Sequence, residues 1–183
     1  MFWIVSAVLL FVVTAGIWIY NGLVRSRNQV HTAWSDIDVQ LLRRHELVPA
    51  LVEVVKAYAA HEAALLENVA SLRAKALETH SPVRLAGLET QLEQSLMRVI
   101  ALQEDYPELK ASENFSQLQR DLVEIENHLQ YARRFYNGAV RDLNDGIQRF
   151  PAVLVARTAG FREAEFFTAG AAARAPTAIK VTP

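Results

Sequence analysis

Five histidines, His31, His45, His61, His80 and His128, are the side chains best suited to bind a metal or move a proton near neutral pH. No two of them lie three or four residues apart, so no helix face presents a paired ligand site. Neither His45-Glu46 nor His61-Glu62 extends to the H-E-x-x-H zinc motif, and the Glu-x-x-His pattern of di-iron bundles is absent. Glu124 and His128 stand one helical turn apart. They read first as a surface ion pair worth a few tenths of a kcal/mol, with cation binding as the sharper alternative. The chain has no cysteine, which excludes disulfides, thiolate metal sites, a cysteine nucleophile and a lipoprotein anchor. No G-x-S-x-G and no glycine-rich phosphate loop occur. The expectation is therefore a non-enzymatic protein with no catalytic residue, no metal and no cofactor. The alternative is a metal-dependent or hydrolytic enzyme inside a helical bundle, using His45, His61 or His128 with nearby carboxylates.

The elements that would position such groups begin with an anchor. Met1 to Val24 carries no charged side chain, and Arg25 is the first. About 20 apolar residues at ~1.5 Å rise cross a bilayer, and Phe2 to Tyr20 meets that length. Eleven of the first twenty residues are Val, Ile, Leu or Phe. At about −0.3 to −0.6 kcal/mol apiece they favour insertion by roughly 3 to 7 kcal/mol. Trp3 at one end and Trp18 with Tyr20 at the other suit the two headgroup levels. A cleaved signal peptide fits less well, because the stretch lacks a basic start and Thr14-Ala15-Gly16 is followed by more apolar residues. Arg25 and Arg27 flank the span on its C-terminal side only, which places the larger part on the cytoplasmic side and the N-terminus outside. A net charge of −1 argues against nucleic acid as a partner.

Beyond the anchor every periodic stretch is helical, and no strand-like alternation appears. Asn21-Gly22 is a candidate hinge. Leu23, Val30, Trp34, Ile37 and Leu41 share one helix face. Leu51, Val55, Tyr58, Leu65, Val69, Leu72 and Ala76 continue a stripe that only Glu62 breaks. Ser81-Pro82 restarts a helix whose stripe is Leu85, Leu88, Leu92, Leu96 and Val99. After Asp105-Tyr106-Pro107, Ser112 caps the segment with the cleanest period. There Phe115, Leu118, Leu122, Ile125, Leu129, Ala132, Tyr136, Ala139 and Leu143 form a heptad seam whose phase reaches Phe150. Arg120, Asp121, Glu124, Arg134, Arg141 and Asp145 occupy the opposite face. Gly160 to Phe167 reads as one short amphipathic turn, and the Ala-, Gly- and Pro-rich stretch from Thr168 as a disordered tail. The expected divisions are 1–24 anchor, 25–150 helical bundle, 151–167 amphipathic segment and 168–183 tail.

Several strings resemble the LemA family of bacterial membrane proteins. They are Tyr20-Asn21-Gly22-Leu23-Val24, Ala33 to Leu41 (AWSDIDVQL), Arg43-Arg44-His45 and Lys56 to Glu62 (KAYAAHE). In the second half they are Tyr106 to Ala111 (YPELKA), Glu113-Asn114-Phe115, Ala132 to Asn137 (ARRFYN), Ile147 to Pro151 (IQRFP) and Glu165-Phe166-Phe167. Ala50 and Gly138 depart from the pattern, where Asn and Asp are expected. The resemblance implies a single N-terminal span followed by an up-and-down antiparallel four-helix bundle. It brings no catalytic mechanism. Genes of that family often neighbour a membrane zinc metalloprotease of the HtpX type, which suggests membrane-protein quality control.

Pro49 leaves two arrangements open. The phase of Ile37 and Leu41 runs through Arg44 to Val48 and Leu51, which favours three long helices with a kink at Pro49. The residue before a proline avoids helical geometry, which favours a new helix starting there. With the family's bundle in view, the expectation is a turn between Arg44 and Val48, four helices, and residues 150–167 folded near the membrane-proximal end. The polar strings supply a docking surface, with Asp36, Asp38, Arg43, Arg44, Arg133 and Arg134 as candidates. The expected partners are the lipid bilayer and another protein, a membrane protease among them. Self-association is left open.

Overall fold

A computed structural model describes residues 1–168, and all regular structure among them is helical. The helices are α1 (Phe2–Tyr58), α2 (Ala63–Leu77), α3 (Pro82–Ala101), α4 (Pro107–Lys110), α5 (Glu113–Gln148) and α6 (Ala152–Thr158). Single 3-10 turns cover Ala60–Glu62 and Leu102–Glu104. The tail expected from residue 168 lies outside the described residues from 169 onward. The chain divides into two compact units. One comprises Met1–Val39 with Leu129–Phe166, and the other comprises Gln40–His128, to which Phe167 is joined.

The second unit has a core contributed mainly by α1, α2, α3 and α5, with Leu109 added from the short α4. Val48, Leu51, Val55 and Ala59 meet Leu66, Val69 and Leu72, then Leu92, Leu96 and Val99, then Leu109, Phe115 and Leu122. Most of these belong to the stripes read from the sequence, buried because an amphipathic helix is marginal until its apolar face is covered. Between Tyr58 and Leu66 the face shifts by one residue, so that Ala59 and Leu66 are buried while Tyr58 is exposed and Leu65 half-buried. Ser112 caps α5 as expected, its Oγ accepting from the Phe115 amide at 3.4 Å. Pro82 takes the first turn of α3, although Ser81 offers only its backbone carbonyl, which accepts from Leu85 N at 2.9 Å.

The expected turn between Arg44 and Val48 does not occur. α1 passes through Pro49 as one helix and ends only at Tyr58. A proline inside a helix costs ~3 kcal/mol or more, in part because the carbonyl four residues earlier loses its donor. Here that carbonyl belongs to His45, and Arg73 Nε of α2 donates to it at 2.7 Å. The chain leaves α1 instead at Ala59–Glu62, and α2 then returns alongside it. That break carries no glycine and no proline, and Glu62 is its one visible trace in the sequence. The Asn21-Gly22 hinge is also absent, since both residues are helical.

In the first unit, α1 and α5 bury Leu23, Val30, Ala33 and Ile37 with Leu129, Ala132, Tyr136, Ala139, Val140 and Leu143. Trp34 meets Tyr136 edge-on, with ring centroids 5.3 Å apart. The seam stops there. Phe150, in phase with it, is 76% exposed because α5 ends at Gln148. Residues 161–168 are not the expected amphipathic turn but a segment without regular structure. Asn144 holds it through both ends of its amide: Oδ1 accepts from Ala164 N at 2.9 Å and Nδ2 donates to Ala164 O at 3.0 Å. Tyr136 Oη donates to Glu165 O at 2.8 Å. Burial first, and the nearby Glu165 charge second, raise the Tyr136 phenol above its ordinary value. Phe161 lies edge-on to Tyr20 at 5.8 Å and beneath the Arg27 guanidinium at 5.4 Å. Phe161, in the segment after α5, thus packs against α1 between Tyr20 and Arg27.

Candidate functional site

The second unit contains a charged cluster inside its core. Arg44 and His45 on α1 converge on Glu89 of α3, which is fully buried. Arg44 NH2 donates to Glu89 Oε2, and His45 Nε2 donates to Glu89 Oε1 at 2.8 Å. The other arm of the fork, Arg44 NH1, reaches Glu126 Oε2 of α5 at 3.1 Å. Arg73 of α2 completes the group by binding the His45 carbonyl. All four helices of the core therefore contribute a charged side chain to one place.

Burial alone pushes the Glu89 carboxyl up, because a carboxylate loses its hydration there. The His45 hydrogen bond, the Arg44 charge, the His45 charge and the Arg44 hydrogen bond together outweigh burial and hold it below its ordinary value of 4.5. A carboxylate with one oxygen held by the Arg44 guanidinium and the other by His45 Nε2 is a poor general base. What the arrangement does chemically is fix position. A buried ion pair tolerates no slip along the helices, because each partner left alone is an uncompensated buried charge.

Arg44, expected on the docking surface, is corrected here: it is 2% exposed and points into the core. Asp36, Asp38, Arg43 and Arg134 are exposed, and Arg133 is half-buried. Asp36 and Asp38 sit on α1 in the first unit, with Arg133 and Arg134 on α5, while Arg43 belongs to the second unit. The Arg134 guanidinium lies 4.7 Å from the Tyr131 ring centre. Among the histidines, His45 is buried, whereas His61 and His128 are not. The His128–Glu124 contact is 3.7 Å with both side chains largely in solvent, which is the surface pair of the bland reading. Among the described residues no three His, Asp or Glu side chains come together in a metal-holding group.

Sequence reasoning does not single out Glu89, Glu126, Arg73 or Asn144. Two of the cluster's members do leave a mark. Arg44 interrupts the stripe Ile37, Leu41, Val48 and Leu51, and Glu89 interrupts the stripe Leu85, Leu92 and Leu96. A charge on an apolar stripe in each of two helices signals a buried pair.

All regular structure among the described residues is helical, and one N-terminal helix is long and apolar enough to cross a membrane, which places the chain in the class of membrane-associated helical proteins. The chain belongs to the LemA family, whose pattern it matches over residues 33–182. Its similar relatives include magnetosome protein MamQ 1 and MamQ 2 of Paramagnetospirillum magneticum, each 24% identical over 81% of this chain and 64% of the relative. MamQ of Magnetospirillum gryphiswaldense is 21% identical over the same shares. The chain thus spans just under two thirds of the length of these curated relatives.

Proposed function

We propose that the protein is a membrane-anchored, non-enzymatic scaffold of LemA type, serving membrane-protein quality control or the organisation of the envelope. One observation carries this reading: the apolar first third of α1 has no buried part, yet it continues without a break into the packed helices. Surface that apolar and that uncovered suits a bilayer, and the continuous helix would link the bilayer to whatever the body binds. Arg25 and Arg27 favour a single pass with the N-terminus outside and the helical body in the cytoplasm. The second half of α1, with α2, α3 and the first half of α5, would be the family's up-and-down four-helix bundle.

The docking candidates in this reading are Asp36, Asp38, Arg133 and Arg134 on the first unit and, separately, Arg43 on the second, with Arg44 withdrawn. Their partner is another protein of the same membrane, a membrane protease or a further copy of this chain. Photo-crosslinkers at positions 36, 38, 43 and 134 in living cells test it. A single defined protein should be captured from several of these positions. Recovery of only lipid and general chaperones from all four would contradict the proposal.

A further inference from the structure

The first unit contains a cleft of about 550 Å³ whose lining belongs to the stretch where the anchor meets the packed helices. One wall is α1 from Trp18 to Ser26, and the other is the end of α5 with Phe150-Pro151-Ala152. Its character is mixed in a particular way. Ile19, Leu23, Phe150 and Pro151 supply apolar surface, while Arg25 and Arg149 add two arginines to the same lining. Among the described residues neither arginine forms a salt bridge.

We propose that this cleft binds the headgroup of an anionic phospholipid, seated in the leaflet that Trp18 and Tyr20 mark. The proposal rests on the reading of residues 1–24 as a span. Trp18 is 80% exposed and Phe150 is 76% exposed, and both line the same cleft. Two bare aromatic rings beside a cavity are costly in water and ordinary at a membrane interface. Arg25 lies two turns beyond Trp18, about 10 Å further along the helix, on the headgroup side of the aromatic belt that Trp18 marks. A guanidinium fork grips a phosphate through two parallel hydrogen bonds, whereas a zwitterionic headgroup sets its own cation against the same pair of arginines. The volume is that of a small-molecule site rather than of a groove for a protein segment.

The cleft owes its room to small residues. At Gly146 a Cβ would stand 3.3 Å from Leu23 Cδ2, so the two helices come together closely at its floor. At Gly22, which lines the opening, a Cβ would meet nothing within 4 Å. A leucine at position 22 starts from a Cβ in open space and adds bulk to a residue lining the cleft without changing a charge. Substitution there separates a built site from general attraction between arginines and an acidic surface.

The test offers the purified full chain, in mild detergent, equimolar phosphatidylglycerol and phosphatidylcholine and reads the retained lipid by native mass spectrometry. One phosphatidylglycerol should be kept in preference to phosphatidylcholine by a factor on the order of ten. Arg149→Gln and Gly22→Leu should each bring that ratio toward one. Arg149 is the cleaner arginine, since Arg25 also biases orientation. Equal retention of the two lipids, or a preference that survives both substitutions, would overturn the proposal. Displacement of the lipid by millimolar glycerol phosphate would overturn it too, because the cleft would then be a site for free phosphate. Alkaline carbonate extraction of cell membranes reads the span separately. A chain that washes off removes the span and the site together, whereas a chain that stays and shows no lipid preference removes the site alone.

Discussion

Arg73 donates from Nε to the carbonyl of His45 at 2.7 Å, and that carbonyl is the one Pro49 leaves without a helical donor. The contact turns a residue that should end a helix into one the helix passes through. Arg73→Met should cost about 1 to 3 kcal/mol, the penalty of a buried acceptor left unmade. In a Pro49→Ala background the backbone amide gained at position 49 can serve His45 itself, so the same substitution should cost about 1 kcal/mol less. Denaturation of the four proteins of this cycle in detergent checks the coupling. Strictly additive losses would mean that Arg73 has nothing to do with Pro49.

The charged cluster predicts an acid limb. Glu89 has a folded value depressed below its ordinary 4.5, so it binds fewer protons folded than unfolded in that range. Its contribution is complete above the unfolded value and is lost as pH falls through the folded one. Stability should therefore decline below about pH 4.5. Glu89→Gln should remove up to about 3 to 5 kcal/mol near neutral pH, by leaving the buried Arg44 with only the partly exposed Glu126 as a carboxylate partner, and should flatten that decline. Parallel pH profiles of the wild type and the variant would contradict the assignment.

The seam on α5 separates buried from exposed positions. Leu122 is 6% exposed and Leu129 is fully buried, and either one changed to Ala should cost about 2 to 5 kcal/mol. Substitutions at exposed Arg120 or Glu124 should stay within about 0.5 kcal/mol. Thermal unfolding of the four variants compares them directly, and equal losses in both sets would overturn the packing.

Asn144 ties down a segment that has no helix of its own. Asn144→Ala removes both bonds to Ala164 and should speed amide exchange across residues 161–166 while α5 itself keeps its protection. Tyr136→Phe removes one bond to Glu165 and should cost about 0.5 to 1.5 kcal/mol. Hydrogen exchange read by mass spectrometry reports both variants, and unchanged exchange in Asn144→Ala would contradict the tie.

Much of the helical framework is legible in the sequence because each stripe is a local regularity. Phe115 through Leu143 keep one phase, and all but the half-buried Leu118 are buried. Pro82, Ser112 and Pro151 mark helix ends by local chemistry alone. The misreadings share a different cause. Whether Pro49 ends a helix is decided by Arg73, 28 residues from the carbonyl it serves, and no local rule sees that far. The break after Tyr58 has no signature residue, because it is set by the return of α2 onto the core. Arg43-Arg44-His45 reads locally as a solvated run. Only the facing Glu89 distinguishes its two buried members from the exposed one.

The central claim is that one uninterrupted helix carries the apolar segment into the helical body, straight through Pro49. Spin labels at positions 42 and 56, both exposed on α1, measure this most directly by pulsed dipolar spectroscopy of the full chain. A continuous helix places them about 21 Å apart at ~1.5 Å per residue. A reversal between Arg44 and Val48 would bring them within about 15 Å, given helices packed at about 8–10 Å, and that result would contradict the account.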